Sequence, residues 1–169
     1  MQLVPYTASF ESAMLPRIAA FFGFHHALIE QVPTEFRPAV PDDGSRQTLA
    51  EWLALPNRLF VIAEGDNPVG FIRINHRGPN VVWIEDVFVD EAHRGKGIAS
   101  AAIAAVEDIV RNMPGCTAVC MDVSPRNTHA MRLYHKLGYT DLSLITLRKE
   151  LAESKRGNDI DLLGMTFKY

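Results

Sequence analysis

The segment Glu85–Val110 reads "EDVFVDEAHRGKGIASAAIAAVEDIV" and decides the fold. Its first part is rich in β-branched and aromatic residues and predicts a strand, whereas its alanine-rich second part predicts an amphipathic helix. Between them lies "RGKGIA", Arg94–Ala99, with two glycines around a lysine. Such a turn is either a plain connection or an anion-binding site, and most of the function depends on which of these it is.

The turn has the features that an anion site needs. A helix N-terminus has backbone N–H groups without partners and about half a positive charge, and glycines before it let those groups converge on one point. A phosphate or diphosphate is the natural occupant, and Arg94 and Lys96 add charge. A plain turn with solvated basic residues stays open, because glycine turns are common.

Two better-known phosphate loops fit the turn poorly. The Walker spacing G-x-x-x-x-G-K-[ST] is absent, since Lys96 lies between the glycines. Gly95, Gly97 and Ser100 come close to the dinucleotide fingerprint G-x-G-x-x-G, but that motif follows the first strand of a parallel unit. Here three or four predicted strands precede the turn, so a nucleotide-binding module is the weaker interpretation.

Hydrophobic periodicity predicts a single mixed α/β domain over residues 1–169, in the order β-α-α-β-β-β-α-β-α-β-β. Strands are expected over 1–7, 58–76 (as a hairpin), 80–89, 116–123, 142–150 and 160–168, and helices over 9–32, 47–55, 98–110 and 127–139. The helix between the fourth and fifth strands makes that pair parallel. The result is a mixed sheet with helices packed over it.

Composition narrows the class of protein. Of the 169 residues, 47% are hydrophobic and 22% are charged, which is ordinary for a globular protein with a sizeable core. A net charge of −3 argues against a nucleic-acid binder, and no apolar run reaches the roughly 18 residues of a membrane helix. The first residues do not resemble a signal peptide, so we expect a cytoplasmic protein without nucleic-acid or membrane partners.

Metal-site spacing is absent among the cysteines and neighbouring histidines: Cys116, Cys120, His25 and His26. No metal is therefore expected, and the cysteines are predicted to be buried and reduced.

Two motifs together carry a resemblance to a known family. Arg94, Gly97 and Ala99 fill the pattern [QR]-x-x-G-x-[GA] between a strand and a helix, and a later helix begins at Asn127 and carries Tyr134 before "HKLGY". The chain resembles the GNAT superfamily of acetyl-CoA-dependent N-acetyltransferases. The similarity covers nearly the whole chain, because the element order matches as well, and residues 24–57 are least constrained by it.

The resemblance implies how acetyl-CoA, the co-substrate, is bound. Its diphosphate would lie against the backbone N–H groups of the turn: Arg94, Gly95, Lys96, Gly97, Ile98, Ala99 and Ser100. Its pantetheine arm would run as a pseudo-strand along Val87, Phe88 and Val89, since a free strand edge can pair with amide groups. Asn127 would contact the arm from the other side, although a plain helix cap explains this residue equally well.

Acetyl transfer from a thioester to an amine needs a proton donor for the departing thiolate. Tyr134 is the candidate, because a phenol with a pKa near 10 is a competent acid towards that group. The alternative is an ordinary aromatic residue on the core face of its helix. The carbonyl oxygen would be stabilised by a backbone N–H near Val87.

The same reaction needs a base for the amine, and Glu85 is the candidate. Some polyamine-type members of the family carry a carboxylate at this place on the strand. Glu85 would accept the proton, or hold a cationic substrate, or be a solvated carboxylate with neither role. Strand alternation puts Glu85 and Asp86 on opposite faces, but a bulge would break that parity and let either acid face the cleft.

The charge of one segment predicts which kind of amine accepts the acetyl group. The acids in the segment from Glu30 to Glu51 outnumber its basic residues: Glu30, Glu35, Asp42, Asp43 and Glu51 against Arg37 and Arg46. A cationic acceptor follows (a polyamine, an aminosugar or a lysine side chain), unless this is simply a solvated acidic loop. His25 and His26 could lie there too, although one buried core histidine is the expected arrangement.

These features predict an enzyme that moves the acetyl group of acetyl-CoA directly to a primary amine in a ternary complex. The alternative is a non-catalytic acyl-CoA-binding sensor on the same fold, and a homodimer is possible.

Overall fold

The computed structural model describes residues 1–30, 42–55, 58–149, 151 and 157–169. The contacts between these residues divide the chain into two compact units, Met1–Asp122 and Val123–Tyr169, and each is described by itself. The single domain over residues 1–169 therefore stays a prediction.

The first unit is built on a five-stranded mixed sheet. Its elements are β1 (Gln2–Pro5), α1 (Glu11–Glu30), α2 (Asp42–Ala54), β2 (Arg58–Glu64), β3 (Asn67–His76), β4 (Val81–Val89), α3 (Ile98–Arg111) and β5 (Ala118–Met121). The strands lie in the order β1-β2-β3-β4-β5. Neighbours are antiparallel except for β4 and β5, which are parallel as the intervening helix predicts. The mixed α/β fold class is confirmed.

Both faces of this sheet are covered. In β2 all five residues from Leu59 to Ala63 are buried, so neither face of that strand is open to water. Alternate residues of β2 and β3 join one apolar cluster with helices α1 and α2: Met14, Leu15, Ile18, Phe21, Leu49, Trp52, Leu59, Val61, Phe71 and Phe88. Helix α3 has a strong apolar face of its own and contacts β1, β4 and β5. Phe88 is the residue of β4 in the cluster with α1 and α2.

The predicted start of the second helix needs correction. Helix α2 begins at Asp42, not at residue 47, so part of the expected loop is helical, while residues 31–41 lie outside the described part of the chain. Helix α1 runs through Pro16 without a division. Pro16 lies in the second turn, where its missing N–H removes a single intrahelical bond.

Cys116 and Cys120 are free thiols, as predicted, but they are half-buried and not core residues.

The second unit contains α4 (Thr128–Lys136) and a hairpin of β6 (Asp159–Leu162) and β7 (Met165–Lys168). The strand predicted over 142–150 is wrong for residues 142–149, which are exposed and irregular, and residue 150 lies outside the described part. The alternation there is present, but a strand also needs a partner for its backbone. The single strand predicted over 160–168 is the hairpin, with Leu163 and Gly164 both at positive φ. A leucine is rare at such a turn, so the sequence did not indicate it.

Within the described residues, no helix has the combination of length and apolar character needed to cross a membrane.

Candidate functional site

The glycine turn has the backbone of an anion site. After β4 the chain makes a 3₁₀ turn over Glu91–His93, and Gly95 and Gly97 follow with φ of 74° and 79°. Gly97 caps α3, whose first intrahelical bond runs from the Ala101 N–H to the Gly97 carbonyl at 3.0 Å. The N–H groups from Gly97 to Ser100 consequently have no acceptor within the helix. Only glycine adopts this left-handed backbone without strain.

Arg94 supports the turn from within. Its Nε donates to the Val89 carbonyl at 3.0 Å, and its guanidinium lies 5.6 Å from the Phe88 ring and 5.8 Å from the Phe24 ring. The side chain is therefore directed back along β4. Lys96, by contrast, is exposed on the turn.

The approach to the turn is fixed by contacts with other elements. Arg17 on α1 donates to the Ala13 carbonyl at 2.6 Å, to the Pro68 carbonyl and to Asp90 Oδ2 at 2.6 Å. His93 Nδ1 lies 2.9 Å from Glu64 Oε2. These contacts fix the position of the chain where it enters the glycine turn.

β4 has a strand partner along only part of one edge. β5 pairs with Val81–Ile84 alone, whereas β3 pairs along the other edge as far as Val89. Among the described strands, none pairs with the β5-side edge of residues 85–89. Val87, Phe88 and Val89 thus have the free edge that the predicted pantetheine pseudo-strand requires, and that contact stays a prediction.

A bulge in β4 brings both acidic residues to one face. Asp86 is paired with Arg73, but Ile84 is paired with Ile74, so Glu85 is the extra residue. Asp86 forms an ion pair with Arg73, while Glu85 interacts with Asn75, which lies two residues further along β3 on the same face. This is the broken parity that the sequence left open. Both carboxylates face the side of the sheet that α1 and α2 cover.

Glu85 is held as an ion. Its side chain is only 10% exposed, and both oxygens accept from Arg77, with Nε at 2.8 Å from Oε1. Burial alone would raise the pKa of Glu85, but the hydrogen bonds and charge of Arg77 outweigh it and lower the pKa. Arg77 also lies 4.4 Å from the Trp83 ring and 3.4 Å from Asp122. Glu85 is therefore ionised and paired with Arg77, and its role as base or as substrate anchor stays a prediction.

Asp86 has the opposite shift. Burial raises its pKa, and the charge of Arg73, whose Nε lies 2.6 Å from Oδ2, only partly opposes this. The Arg73 guanidinium lies 4.8 Å from the Trp52 ring of α2. Burial lowers the pKa of His25 on α1, and the Asp86 charge opposes that change. Burial thus favours the neutral form of both Asp86 and His25.

The predicted acidic segment is only partly described. Glu35 and Arg37 lie outside the described residues, as do the side chains of Glu30 and Asp42. Arg46 is paired with Glu11, and Glu51 accepts from Gln47 Nε2 at 2.9 Å. An acidic acceptor loop stays a prediction.

In the second unit, Asn127 caps α4, and its side chain accepts from the Ala130 N–H at 3.2 Å. This confirms the cap, while a contact with acetyl-CoA stays a prediction. The Tyr134 ring lies 6.3 Å from the Tyr139 ring, and burial raises the pKa of Tyr134. Its hydroxyl therefore keeps its proton at neutral pH, as an acid must.

The sequence prediction missed Arg73 and Arg77. Both lie at alternate positions in "FIRINHRG", on one face of an otherwise apolar strand or just beyond it. Arg73 is largely buried and needs a carboxylate partner, so its position was an available signal that an acid of the neighbouring strand faces the same way, whereas Arg77 is exposed. Elsewhere, no three potential metal ligands come together within the described ranges.

Comparison with known proteins agrees with this geometry. Residues 25–139 match the model of the acetyltransferase (GNAT) family. An aminoglycoside N(6')-acetyltransferase type 1 from Salmonella typhimurium is 32% identical over 113 residues, covering 62% of this chain and 77% of its own length. A spermine/spermidine N(1)-acetyltransferase from Bacillus subtilis is 29% identical over 58 residues, or 34% of this chain and 38% of its own.

The fold is shared with solved structures. The aminoglycoside N-acetyltransferase AAC(6')-Iy, solved in complex with CoA, has a TM-score of 0.65 at 19% identity, over 89% of this chain and 95% of its own. Since the family match spans most of the chain, and includes β4, the glycine turn and α4, the chain belongs to the acetyltransferase (GNAT) family of acetyl-CoA-dependent N-acetyltransferases.

Proposed function

We propose that this chain transfers the acetyl group of acetyl-CoA directly to a primary amine of a cationic acceptor. The observation that carries the proposal is the β4 bulge, which turns Glu85 and Asp86 to one face. Two carboxylates in a half-buried setting attract an ammonium group, because charge interactions strengthen where water is excluded. The relatives named for aminoglycosides and for spermine and spermidine point to acceptors with several amines.

Each part of the reaction has a candidate in the chain. Backbone N–H groups from Arg94 to Ser100 bind the diphosphate, and Val87–Val89 pair with the pantetheine arm. The amine loses a proton, its nitrogen bonds to the acetyl carbon, and the carbon–sulfur bond breaks with its electron pair moving to sulfur. A backbone N–H near Val87 stabilises the oxygen, and Tyr134 gives its proton to the thiolate. The nitrogen loses its second proton as it becomes an amide, and this proton restores Tyr134. No acyl-enzyme is formed, so both substrates bind before either product leaves.

Glu85 is assigned to acceptor binding. Because Arg77 keeps it ionised, it retains a negative charge throughout the working pH range. It therefore attracts a second ammonium of a polyamine or aminosugar, or the ammonium of a lysine side chain.

An acceptor panel tests the proposal. Spermidine, kanamycin A, a lysine-containing peptide and aniline, which is uncharged at neutral pH, are each supplied with acetyl-CoA while thiol release is followed. We expect cationic amines to be acetylated and the Glu85→Gln variant to raise their KM without changing the KM for acetyl-CoA. A preference for aniline would refute the cationic acceptor, and CoA binding without turnover on any amine would favour the acyl-CoA sensor.

A further inference from the structure

We propose that Arg17 of α1 is a positioning residue for acetyl-CoA, because its ion pair with Asp90 sets where the glycine turn begins. The inference rests on one part of the proposed function, the binding of the diphosphate by the backbone of this turn. It deepens that function by adding a residue from another element. Arg17 and Asp90 are 73 residues apart in the chain, so the sequence around the turn gives no sign of the contact.

The Arg17 side chain joins three elements at the end of β4. Its Nη1 donates to the Ala13 carbonyl of its own helix at 2.6 Å, which fixes the direction of the side chain. Its Nη2 donates to the Pro68 carbonyl of β3 and to Asp90 Oδ2, the latter at 2.6 Å. An arginine suits this place, because its planar fork of donors serves several acceptors in fixed directions. Helix α1 and strand β3 are thus both connected to the carboxylate of Asp90.

Asp90 uses its side chain for this distant contact and not for a local one. It precedes the 3₁₀ turn Glu91–His93, a position where an aspartate commonly accepts from a backbone N–H of the helix that follows. Within the described part of the chain, Asp90 forms no such cap with its side chain. Its backbone N–H donates to the Val69 carbonyl of β3 at 2.8 Å. Both the side chain and the backbone of Asp90 are therefore held by residues outside the turn.

Short hydrogen bonds connect Asp90 to the glycine turn. The His93 N–H donates to the Asp90 carbonyl at 2.8 Å. The Arg94 N–H donates to the Glu91 carbonyl at 3.1 Å, and Arg94 Nε donates to the Val89 carbonyl at 3.0 Å. A displacement of Asp90 consequently displaces the N–H groups that follow it. Because hydrogen bonds weaken steeply with distance and angle, the turn then binds a diphosphate less tightly.

The Arg17–Asp90 pair is less exposed than a second ion pair of α1. The side chains of Arg17 and Asp90 are 15% and 28% exposed, whereas those of Arg46 and Glu11 are 61% and 39% exposed. A pair of low exposure is screened less by water and salt than an exposed one. The two pairs give a matched comparison, because both join α1 to another element but only Asp90 leads directly into the glycine turn.

Removal of Asp90 separates positioning from simple electrostatics. The diphosphate is an anion, so the loss of a nearby carboxylate would by charge alone tighten the binding of CoA. The loss of the Arg17 contact predicts the opposite, a weaker Kd. In Arg17→Met a positive charge is lost, so both effects act in the same direction there. Asp90→Ala is therefore the deciding variant.

The binding test titrates CoA calorimetrically into the full chain as wild type, Asp90→Ala, Arg17→Met, the double variant and Arg46→Met. We expect both single changes at the pair to weaken the Kd for CoA by roughly three- to thirtyfold, with the stoichiometry of wild type. The double variant should bind no more weakly than Arg17→Met, because both changes break the same contact. Arg46→Met should bind like wild type. Arg17→Lys, which keeps the charge without the fork, should lie between wild type and Arg17→Met.

The acetylation assay gives a second measurement on the amine that wild type acetylates fastest. We expect Asp90→Ala to raise the KM for acetyl-CoA, while kcat and the KM for the amine stay within about a factor of two. A pair that only stabilised the fold would instead lower the fraction of protein that binds CoA, and the Kd of that fraction would be unchanged.

Three results overturn the inference: Asp90→Ala binds CoA as tightly as wild type or more tightly, the losses of the two single variants add in the double variant, or the stoichiometry falls at the wild-type Kd. Should Arg17→Met not fold, Asp90→Ala and Arg17→Lys still decide. The proposed function fails separately. Wild type that binds CoA but acetylates no amine would refute it, while the titrations would still measure the role of Arg17.

Discussion

At the level of single residues, Arg77 reverses the effect that burial has on Glu85. We expect Arg77→Ala to raise the pKa of Glu85, because the main partner that lowers this pKa is gone and only the smaller effects of Asn75 and Arg73 still oppose burial. NMR titration of the Glu85 carboxyl measures this directly. Arg46→Ala, which removes the exposed partner of Glu11, is the control and should leave Glu85 unchanged.

The same change has a consequence for stability. In wild type the folded-state pKa of Glu85 is lowered, so this group stabilises the fold above pH 4.5, and that stability is lost as the pH falls through the folded-state pKa. In Arg77→Ala this stabilisation becomes smaller, because the folded-state pKa of Glu85 rises. A Glu85 pKa as low in the variant as in wild type would show that Arg77 does not control this carboxylate.

Tyr134 and Tyr139 offer a matched pair of phenols in the second unit. We expect Tyr134→Phe to lower kcat by roughly 10²-fold, a typical contribution of a general acid, while the Kd for acetyl-CoA stays within a factor of two. Tyr139→Phe should keep most of the activity. Equal losses in both variants, measured as initial rates of thiol release, would mean that the ring packing matters and not the Tyr134 proton.

At the level of elements, Gly70 sets the distance between β3 and β4. A Cβ at this position would lie 2.2 Å from the Phe88 carbonyl oxygen, so the strands must separate to admit one. We expect Gly70→Ala to lower the free energy of unfolding by about 1–3 kcal/mol, measured by urea denaturation. Gly157→Ala is the control, since no atom of the described residues lies within 4 Å of its Cβ position. Equal midpoints for the two variants would contradict this account of the β3–β4 contact.

The elements show how far the sequence prediction reaches. It succeeds for β1 to β5 and for α3, because each has a continuous apolar period and clear turn residues such as Gly65 and Gly97. It fails over 142–149, where the described residues form no strand, and at Leu163, where the chain turns at an unusual residue. Local pattern gives the propensity of a segment, whereas pairing depends on what lies beside it.

At the level of the whole molecule, some features of the candidate site could be predicted from the sequence and others could not. The glycine turn could be predicted from the sequence, because the positive φ at positions 95 and 97 favours glycine, and both residues are glycines. The sequence did not decide which way Glu85 and Asp86 face, because this depends on a one-residue bulge. Long-range charge pairing of this kind has no local signature, although Arg73 on the otherwise apolar strand β3 was a clue.

The central claim is that the backbone of the glycine turn binds the diphosphate of CoA. Calorimetric titration of CoA into wild type, Gly97→Ala and Gly65→Ala tests it most directly, because both glycines have positive φ but only Gly97 lies in the turn. A side chain at such a backbone costs roughly 1–2 kcal/mol, so we expect Gly97→Ala to weaken the Kd for CoA about tenfold or more, while Gly65→Ala binds like wild type and NAD gives no heat. If wild type gave no heat with CoA, or Gly97→Ala bound it as tightly as Gly65→Ala, the claim would be contradicted.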